Sequence, residues 1–252
     1  MTSRARTVAA AAEREPVVVY VKGDPATKTL TDCPFTHRAL LALEERGIPT
    51  QYVYIDLANK PKWFLEAVNP EGTVPALVVD EATVDRAARY LCDSGKIVEW
   101  ADAHGDPPAG QLKDPEGSPG VAAGLFPALR TLMFAASEAD VPAAVAGLEA
   151  QLSSLEAFLS LGGGPFIGGA RPTAVDCRLG PQVYHAAVAA NWRHGWSIPA
   201  SMPKVRAYLE AWKGRASWRA TEYGDALVVA GWTWKIKREF GGTMPEVKKV
   251  LG

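Results

Sequence analysis

Between residues 104 and 120 the chain carries Asp106-Pro107-Pro108 and then Asp114-Pro115-Glu116-Gly117-Ser118-Pro119-Gly120, with hardly an apolar side chain among them. So dense a run of turn formers sustains neither a helix nor a strand, and it reads as a linker. It divides the 252 residues into a part at 16–103 and a part at 121–245, each long enough to bury a core of its own. A single continuous sheet or bundle over the whole length is thereby disfavoured.

The part before the break alternates two periodicities. Val17 to Val21 is an unbroken apolar, largely β-branched run, as in a strand covered on both faces. From Cys33 to Arg46 the period changes: Phe35, Ala39, Ala42 and Leu43 recur at helical spacing, until Gly47 and Pro49 stop the helix. Tyr52 to Ile55 supplies a second strand, a short helix is expected at Trp63 to Val68, and Ala76 to Val79 reads as a third strand. A further strand is expected between Thr83 and Cys92, and Gly95 to Ala103 resumes helical spacing. The order is βαβ, then ββα.

The part after the break has only helical periodicity, over Val121 to Ser137, Val141 to Leu161, Val175 to Ala190 and Pro203 to Ala220. Thr173-Ala174-Val175-Asp176 has the spacing of an N-capping box, with Asp where Glu or Gln is usual. The fold class expected is therefore α/β followed by an all-α bundle. The Trp-rich C-terminal stretch, including Trp212, Trp218, Trp232 and Trp234, is assigned to packing. Residues 1–15 are Ala-rich with three arginines and no acidic residue before Glu13, and they read as a disordered tail. The same composition is found in remnants of organelle transit peptides.

Composition narrows the function classes. With 48% hydrophobic residues the chain has the means to fold, and a formal net charge of -1 provides no global basic field for nucleic acid or anionic lipid. No apolar run reaches the about 18 residues of a membrane span. Three scattered cysteines, Cys33, Cys92 and Cys177, make neither a disulfide scaffold nor a zinc module, which fits a reducing compartment and no metal.

Cys33 stands where strand, loop and helix meet, after Asp32 and before a Pro34 suited to the first helical turn. A thiol there faces unpaired backbone N–H groups, and the helix N-terminus favours its thiolate, which is the nucleophilic form. A Cys-x-x-Cys pair would need a second thiol at position 36, but Thr36 stands there, so no local thiol can resolve a disulfide made at Cys33. Cys92 and Cys177 read as structural. Thr73-Val74-Pro75 precedes the third strand, where a proline fits the strand's start, and Asp93-Ser94 opens the last helix of this part with an acid, a hydroxyl and free N–H groups. With a thiolate nearby, that helix end becomes a candidate for a ligand bearing both ammonium and carboxylate.

At Asp32-Cys33-Pro34-Phe35, Lys60-Pro61-Lys62-Trp63-Phe64-Leu65-Glu66, Asn69-Pro70-Glu71-Gly72-Thr73-Val74-Pro75 and Asp93-Ser94, the chain resembles the glutathione transferase superfamily, and within it the plant and algal dehydroascorbate reductases. The resemblance runs from about Val17 to Trp232, with its specific motifs almost all in the first part. It implies a thioredoxin-like glutathione domain joined to an all-helical domain, and a monomer of the cytoplasm or the chloroplast stroma. The activity it implies is glutathione-dependent reduction of dehydroascorbate to ascorbate, with Cys33 as nucleophile and glutathione as co-substrate. It carries glutathione contacts onto Phe35, Lys60, Val74, Pro75, Asp93 and Ser94, and the ascorbate site onto Lys22 and Asp32. The chain departs from the pattern between Asp80 and Asp93, where Glu81 to Tyr90 carries several extra residues.

Two other readings share these residues. A glutaredoxin-like thiol transferase or a conjugating glutathione transferase would keep the glutathione site, although conjugating members generally use Ser or Tyr in place of Cys33. A chloride intracellular channel-like protein would insert its first helix region into a membrane, which Arg38, Glu44, Glu45 and Arg46 make costly.

Overall fold

The computed structural model describes residues 15–80, 82–106 and 111–247, so the expected N-terminal tail falls, but for Glu15, outside the described residues. The chain divides into two compact units, Met1–Gln111 and Leu112–Gly252. No helix among the described residues is long and apolar enough to cross a membrane.

In the first unit, strand β1 (Val17–Asp24) lies at the centre of the sheet. On one side it pairs in parallel with β3 (Thr50–Ile55), from Val17 opposite Thr50 to Lys22 opposite Ile55. On the other it pairs antiparallel with β4 (Ala76–Val78), which pairs antiparallel with the two-residue β5 (Tyr90–Leu91). Helix α1 (Pro34–Glu45) provides the crossover from β1 to β3 that a parallel pair requires. It packs on α3 (Ser94–His104), and Leu40, Leu41 and Leu43 are buried along it. The far end of α1 is held by Arg46, 2% exposed, whose guanidinium donates to the Asp106 carbonyl at 2.7 Å and meets the Asp102 carboxylate at 3.3 Å.

Three local outcomes differ from expectation here. The end of β1 folds back into β2 (Thr29–Leu30), because Asp24 accepts from Ala26 N and the Thr27 hydroxyl and turns the chain. The short helix expected at Trp63 closes as a single π turn, Phe64–Val68, which sets Phe64 and Val68 on the same buried side. The strand expected from Thr83 to Cys92 is only Tyr90–Leu91, because a short helix α2 (Arg86–Arg89) precedes it. Asp85 caps that helix by accepting from Ala87 N at 3.0 Å, and alanine, which loses no side-chain freedom in a helix, fills its middle.

The second unit is helical throughout. Helix α4 (Leu125–Met133) packs on α5 (Val141–Leu161), which also meets α8 (Pro203–Lys213). Helix α6 (Ala174–His185) continues through a π turn at Ala186–Ala190 into α7 (Asn191–His194). Its capping box forms as expected: Thr173 N donates to Asp176 Oδ2 at 2.8 Å while Ile167 N donates to Oδ1 at 3.0 Å. Leu112 is 3% exposed and Asp114 accepts from Val175 N at 2.8 Å, so the C-terminal side of the Pro-rich break is tied to the start of α6. The helix expected over Pro203 to Ala220 is two, α8 and α9 (Ala216–Thr221), broken at Gly214-Arg215. A helix that the periodicity reading left out, α10 (Asp225–Glu239), buries Val228, Trp232 and Ile236 at four-residue spacing. Trp212, Trp218 and Trp232 are all nearly inaccessible, whereas Trp234 is exposed. Gly180 of α6 lets Trp212 approach closely, since a Cβ there would stand 2.6 Å from its indole nitrogen.

Candidate active site

Cys33 is the N-cap of α1. Its backbone is extended, Pro34 takes the first helical position, and Sγ accepts from Thr36 N at 3.4 Å. One of the orphan N–H groups of the helix start is thus aimed at sulfur, which places positive partial charge against it. The side chain is 7% exposed and packs in a cluster with Ile55, Phe64, Val68, Val74 and Ala76. A thiol so placed is sheltered on its apolar side and faces one main-chain donor, Thr36 N.

Beside it, Asp32 is 3% exposed and forms an ion pair through Oδ1 with the Lys22 ammonium, which lies 3.4 Å from the Asp32 carbonyl as well. The end of β1 and the residue before Cys33 are therefore joined by charge. Lys22 and Asp32 thus form one ion pair next to Cys33. His37, one turn into α1, is wholly buried, and burial lowers its pKa to about 3, so it stays neutral at physiological pH.

Across the cluster lies Val74, followed by Pro75 through a cis peptide bond. The turn before it is built by Asn69, whose Nδ2 donates to the Thr73 carbonyl at 3.0 Å and the Thr73 hydroxyl at 2.9 Å. Gly72 sits at φ +65°, where a Cβ would stand 2.8 Å from the Lys60 ammonium and 2.9 Å from Leu65. Lys60 is thus laid along this turn. Val74 makes no backbone hydrogen bond among the described residues, which leaves its N–H and C=O for a partner. Phe35, two residues after Cys33, is 41% exposed.

The third part is the start of α3. Asp93 Oδ1 accepts from Gly95 N at 2.8 Å and Lys96 N at 2.9 Å, and Ser94 is buried. Arg38 reaches from α1 with Nη1 3.5 Å from the Ser94 hydroxyl, and so spans from the helix that Cys33 caps to this helix end. The sequence reading weighed Arg38 only as a charge opposing membrane insertion. Its signal was available, as a cation one turn after Cys33 on a helix otherwise buried by leucines.

The other thiols differ in kind. Cys92 is half-buried with Sγ 3.9 Å from the Val68 carbonyl, and burial, with help from Glu71, raises its pKa and keeps it protonated. Cys177 is wholly buried, and all three cysteines are free thiols. Among the described residues no group of three or more His, Cys, Asp or Glu side chains is placed to hold a metal ion.

With this geometry established, comparison with known proteins is specific. Residues 32–104 match the glutathione S-transferase N-terminal domain family and residues 135–211 match its C-terminal domain family. The chain is 35% identical to glutathione S-transferase DHAR2 of Arabidopsis thaliana over 84% of its own length and 93% of that protein. It is 31% identical to the chloroplastic glutathione S-transferase DHAR3 of the same plant, over 92% of this chain and 85% of the relative. The crystal structure of Chlamydomonas reinhardtii dehydroascorbate reductase superposes with a TM-score of 0.75 at 38% identity, covering 87% of this chain and 98% of that one. Cysteine-flanking turn, Val-Pro turn and capped helix all lie inside the first matched domain, and the chain belongs to the glutathione transferase superfamily, in its dehydroascorbate reductase branch.

Proposed function

We propose that this protein reduces dehydroascorbate to ascorbate at the expense of two glutathione molecules, with Cys33 as the nucleophile. The observation that carries the mechanism is the single sheltered thiol at a helix N-cap, its sulfur against Thr36 N, with Thr36 where a resolving cysteine would stand. In the first step the Cys33 thiolate gives two electrons to dehydroascorbate and takes up oxygen from water, leaving ascorbate and a sulfenic acid. A first glutathione thiol condenses with the sulfenic acid, releasing water and forming a mixed disulfide. A second glutathione thiolate attacks that disulfide at the glutathione sulfur, so oxidised glutathione leaves and the Cys33 thiolate returns. Each electron pair and each proton is supplied by the two glutathiones, and no metal or further cofactor takes part.

The surrounding residues divide the binding. The unpaired N–H and C=O of Val74, next to Pro75, fit the peptide backbone of the cysteinyl unit of glutathione, as one more antiparallel partner would. Asp93 and Ser94 meet the γ-glutamyl end, and Phe35 and Lys60 flank the tripeptide. Lys22 and Asp32 place a cation and an acid where the hydroxyls of ascorbate are held. Cys33→Ser tests the mechanism: dehydroascorbate reduction should disappear while the melting temperature stays within a few degrees. Retained reductase activity in the variant would falsify it.

The protein works as a monomer, and a dimer mass in light scattering would count against this. Among its relatives are proteins named as cytosolic and as chloroplastic, and the compartment is either the cytosol or the chloroplast stroma. Cell fractionation with sequencing of the N-terminus separates the two.

A further inference from the structure

Ser94, the first residue of α3, is 6% exposed, yet two of its donors have no acceptor among the described residues. Its N–H belongs to the helix start, and Asp93 Oδ1 takes the N–H groups of Gly95 and Lys96 instead. Its hydroxyl enters one hydrogen bond among the described residues, and there it is the acceptor, from Arg38 Nη1 at 3.5 Å. A hydroxyl carries one proton and two acceptor lone pairs, whereas a guanidinium can only donate. The Arg38 contact therefore takes a lone pair and leaves the Ser94 proton for a different acceptor. A carboxylate, which only accepts, complements an N–H and an O–H offered by one residue at a helix start.

Arg38 reaches this point because position 95 has no side chain. A Cβ on Gly95 would stand 3.3 Å from Arg38 Nη2, 3.5 Å from Nη1 and 3.0 Å from Asp93 Oδ1. The guanidinium thus lies against the first turn of α3, where the helix itself contributes about half a positive charge and cations are ordinarily disfavoured. Its charge and that of the helix end add at Ser94, which strengthens the hold of this end on an anion. At 3.5 Å the Arg38–Ser94 contact is long, but a charged donor makes a hydrogen bond roughly twice as strong as a neutral one does. The side chain that settles the Ser94 proton also belongs to the helix that Cys33 caps, so one residue ties the thiol's helix to the donors of α3.

We propose that Arg38 is a positioning residue for glutathione: it holds the Ser94 oxygen by a lone pair, so that the hydroxyl proton faces the α-carboxylate of the γ-glutamyl group. The inference rests on glutathione being the co-substrate, with Ser94 at its γ-glutamyl end. Arg38 acts on binding alone, through Ser94, so its loss changes KM and leaves kcat unaltered.

A double-mutant cycle provides the test. Steady-state reduction of dehydroascorbate is measured for wild type, Arg38→Met, Arg38→Lys, Ser94→Ala and the variant carrying both Arg38→Met and Ser94→Ala. Each is assayed with glutathione and with an analogue that has 4-aminobutyrate in place of γ-glutamate, which keeps the ammonium and lacks the α-carboxylate. Arg38→Met should raise the KM for glutathione roughly fivefold with kcat within about twofold, and Arg38→Lys, which keeps a charged donor, should raise it about twofold. In the double variant the rise in KM should fall well short of the product of the two single rises, because without the hydroxyl Arg38 has no proton to orient. With the analogue, wild type and both Arg38 variants should share one KM. An unchanged glutathione KM in Arg38→Met, rises that multiply in the double variant, or an equal rise for both thiols would each overturn the assignment, the last by marking Arg38 as a packing residue. Should Arg38→Met fail to fold, the two KM values of Arg38→Lys decide in the same way. Absence of saturable glutathione dependence in wild type would overturn the co-substrate itself.

Discussion

Asp93 has two duties that a pair of substitutions separates. In the fold it caps α3, with Oδ1 accepting from Gly95 N at 2.8 Å and Lys96 N at 2.9 Å. In the proposed site its charge meets the γ-glutamyl ammonium. Asn ranks beside Asp as an N-cap, so Asp93→Asn keeps the acceptor and gives up only the charge near the helix start, about 0.3–1 kcal/mol. Asp93→Ala removes the acceptor for both N–H groups. Because the residue is exposed, water replaces it, and the cost should be about 1 kcal/mol, within the usual range for a lost cap. That corresponds to a fall of roughly 2–4 °C in melting temperature for a chain of this size. On the binding side, an exposed ammonium–carboxylate pair contributes up to about 1 kcal/mol, or roughly a fivefold change in glutathione KM. The expected pattern is therefore a raised KM in both variants but a larger fall in melting temperature in the Ala variant, which loses the acceptor as well as the charge. Ascorbate formation, followed in the ultraviolet at varied glutathione, and a thermal melt measure the two quantities. An unchanged KM in Asp93→Asn removes the residue from the binding site, and an equal loss of melting temperature in both variants refutes the capping argument.

Two further outcomes follow from buried geometry. Gly72→Ala should cost about 1–2 kcal/mol in urea denaturation, because φ +65° disfavours a Cβ that would also displace Lys60. It should also raise the glutathione KM, and a stability change below 0.5 kcal/mol would show that the turn relaxes freely. Burial holds the folded pKa of His37 at about 3, below the 6.5 of a free histidine, so His37 contributes stability that is present above pH 6.5 and lost as pH falls toward 3. Compared with His37→Leu, wild type should lose about 1.4 kcal/mol more per pH unit below 6, and parallel denaturation curves for the two proteins between pH 6 and 4.5 would count against it.

Much of the setting of Cys33 was legible because its signals are local. A β-branched run, a cysteine, a proline suited to a helix start and a leucine-rich helical period are enough to place Cys33 at the N-cap of α1. The Lys22–Asp32 pair was not legible as a pair, since it depends on how the chain returns through β2 between them. Arg38 was misread for a similar reason: its partner Ser94 lies 56 residues away, and only the packing of α1 on α3 joins them. Helix α2 is too short for a period to register, and its cap at Asp85 is the only local clue. The case of α10 is different. Val228, Trp232 and Ile236 stand four residues apart, but Val229, Ala230 and Trp234 beside them are apolar too, which blurs the buried face.

The two-residue strand β5 has a consequence for how such an enzyme can diverge. Only Leu77 opposite Leu91 and Val78 opposite Tyr90 tie it to the sheet, at the edge farthest from β3. Residues can be gained or lost ahead of it without shifting the register of β1 or disturbing the turn that holds Val74, as insertions at exposed loop tips generally are. The same segment walls a cavity beside Asp93. That cavity wall can thus change in length and shape while Cys33, its helix and the turn at Val74 keep their geometry.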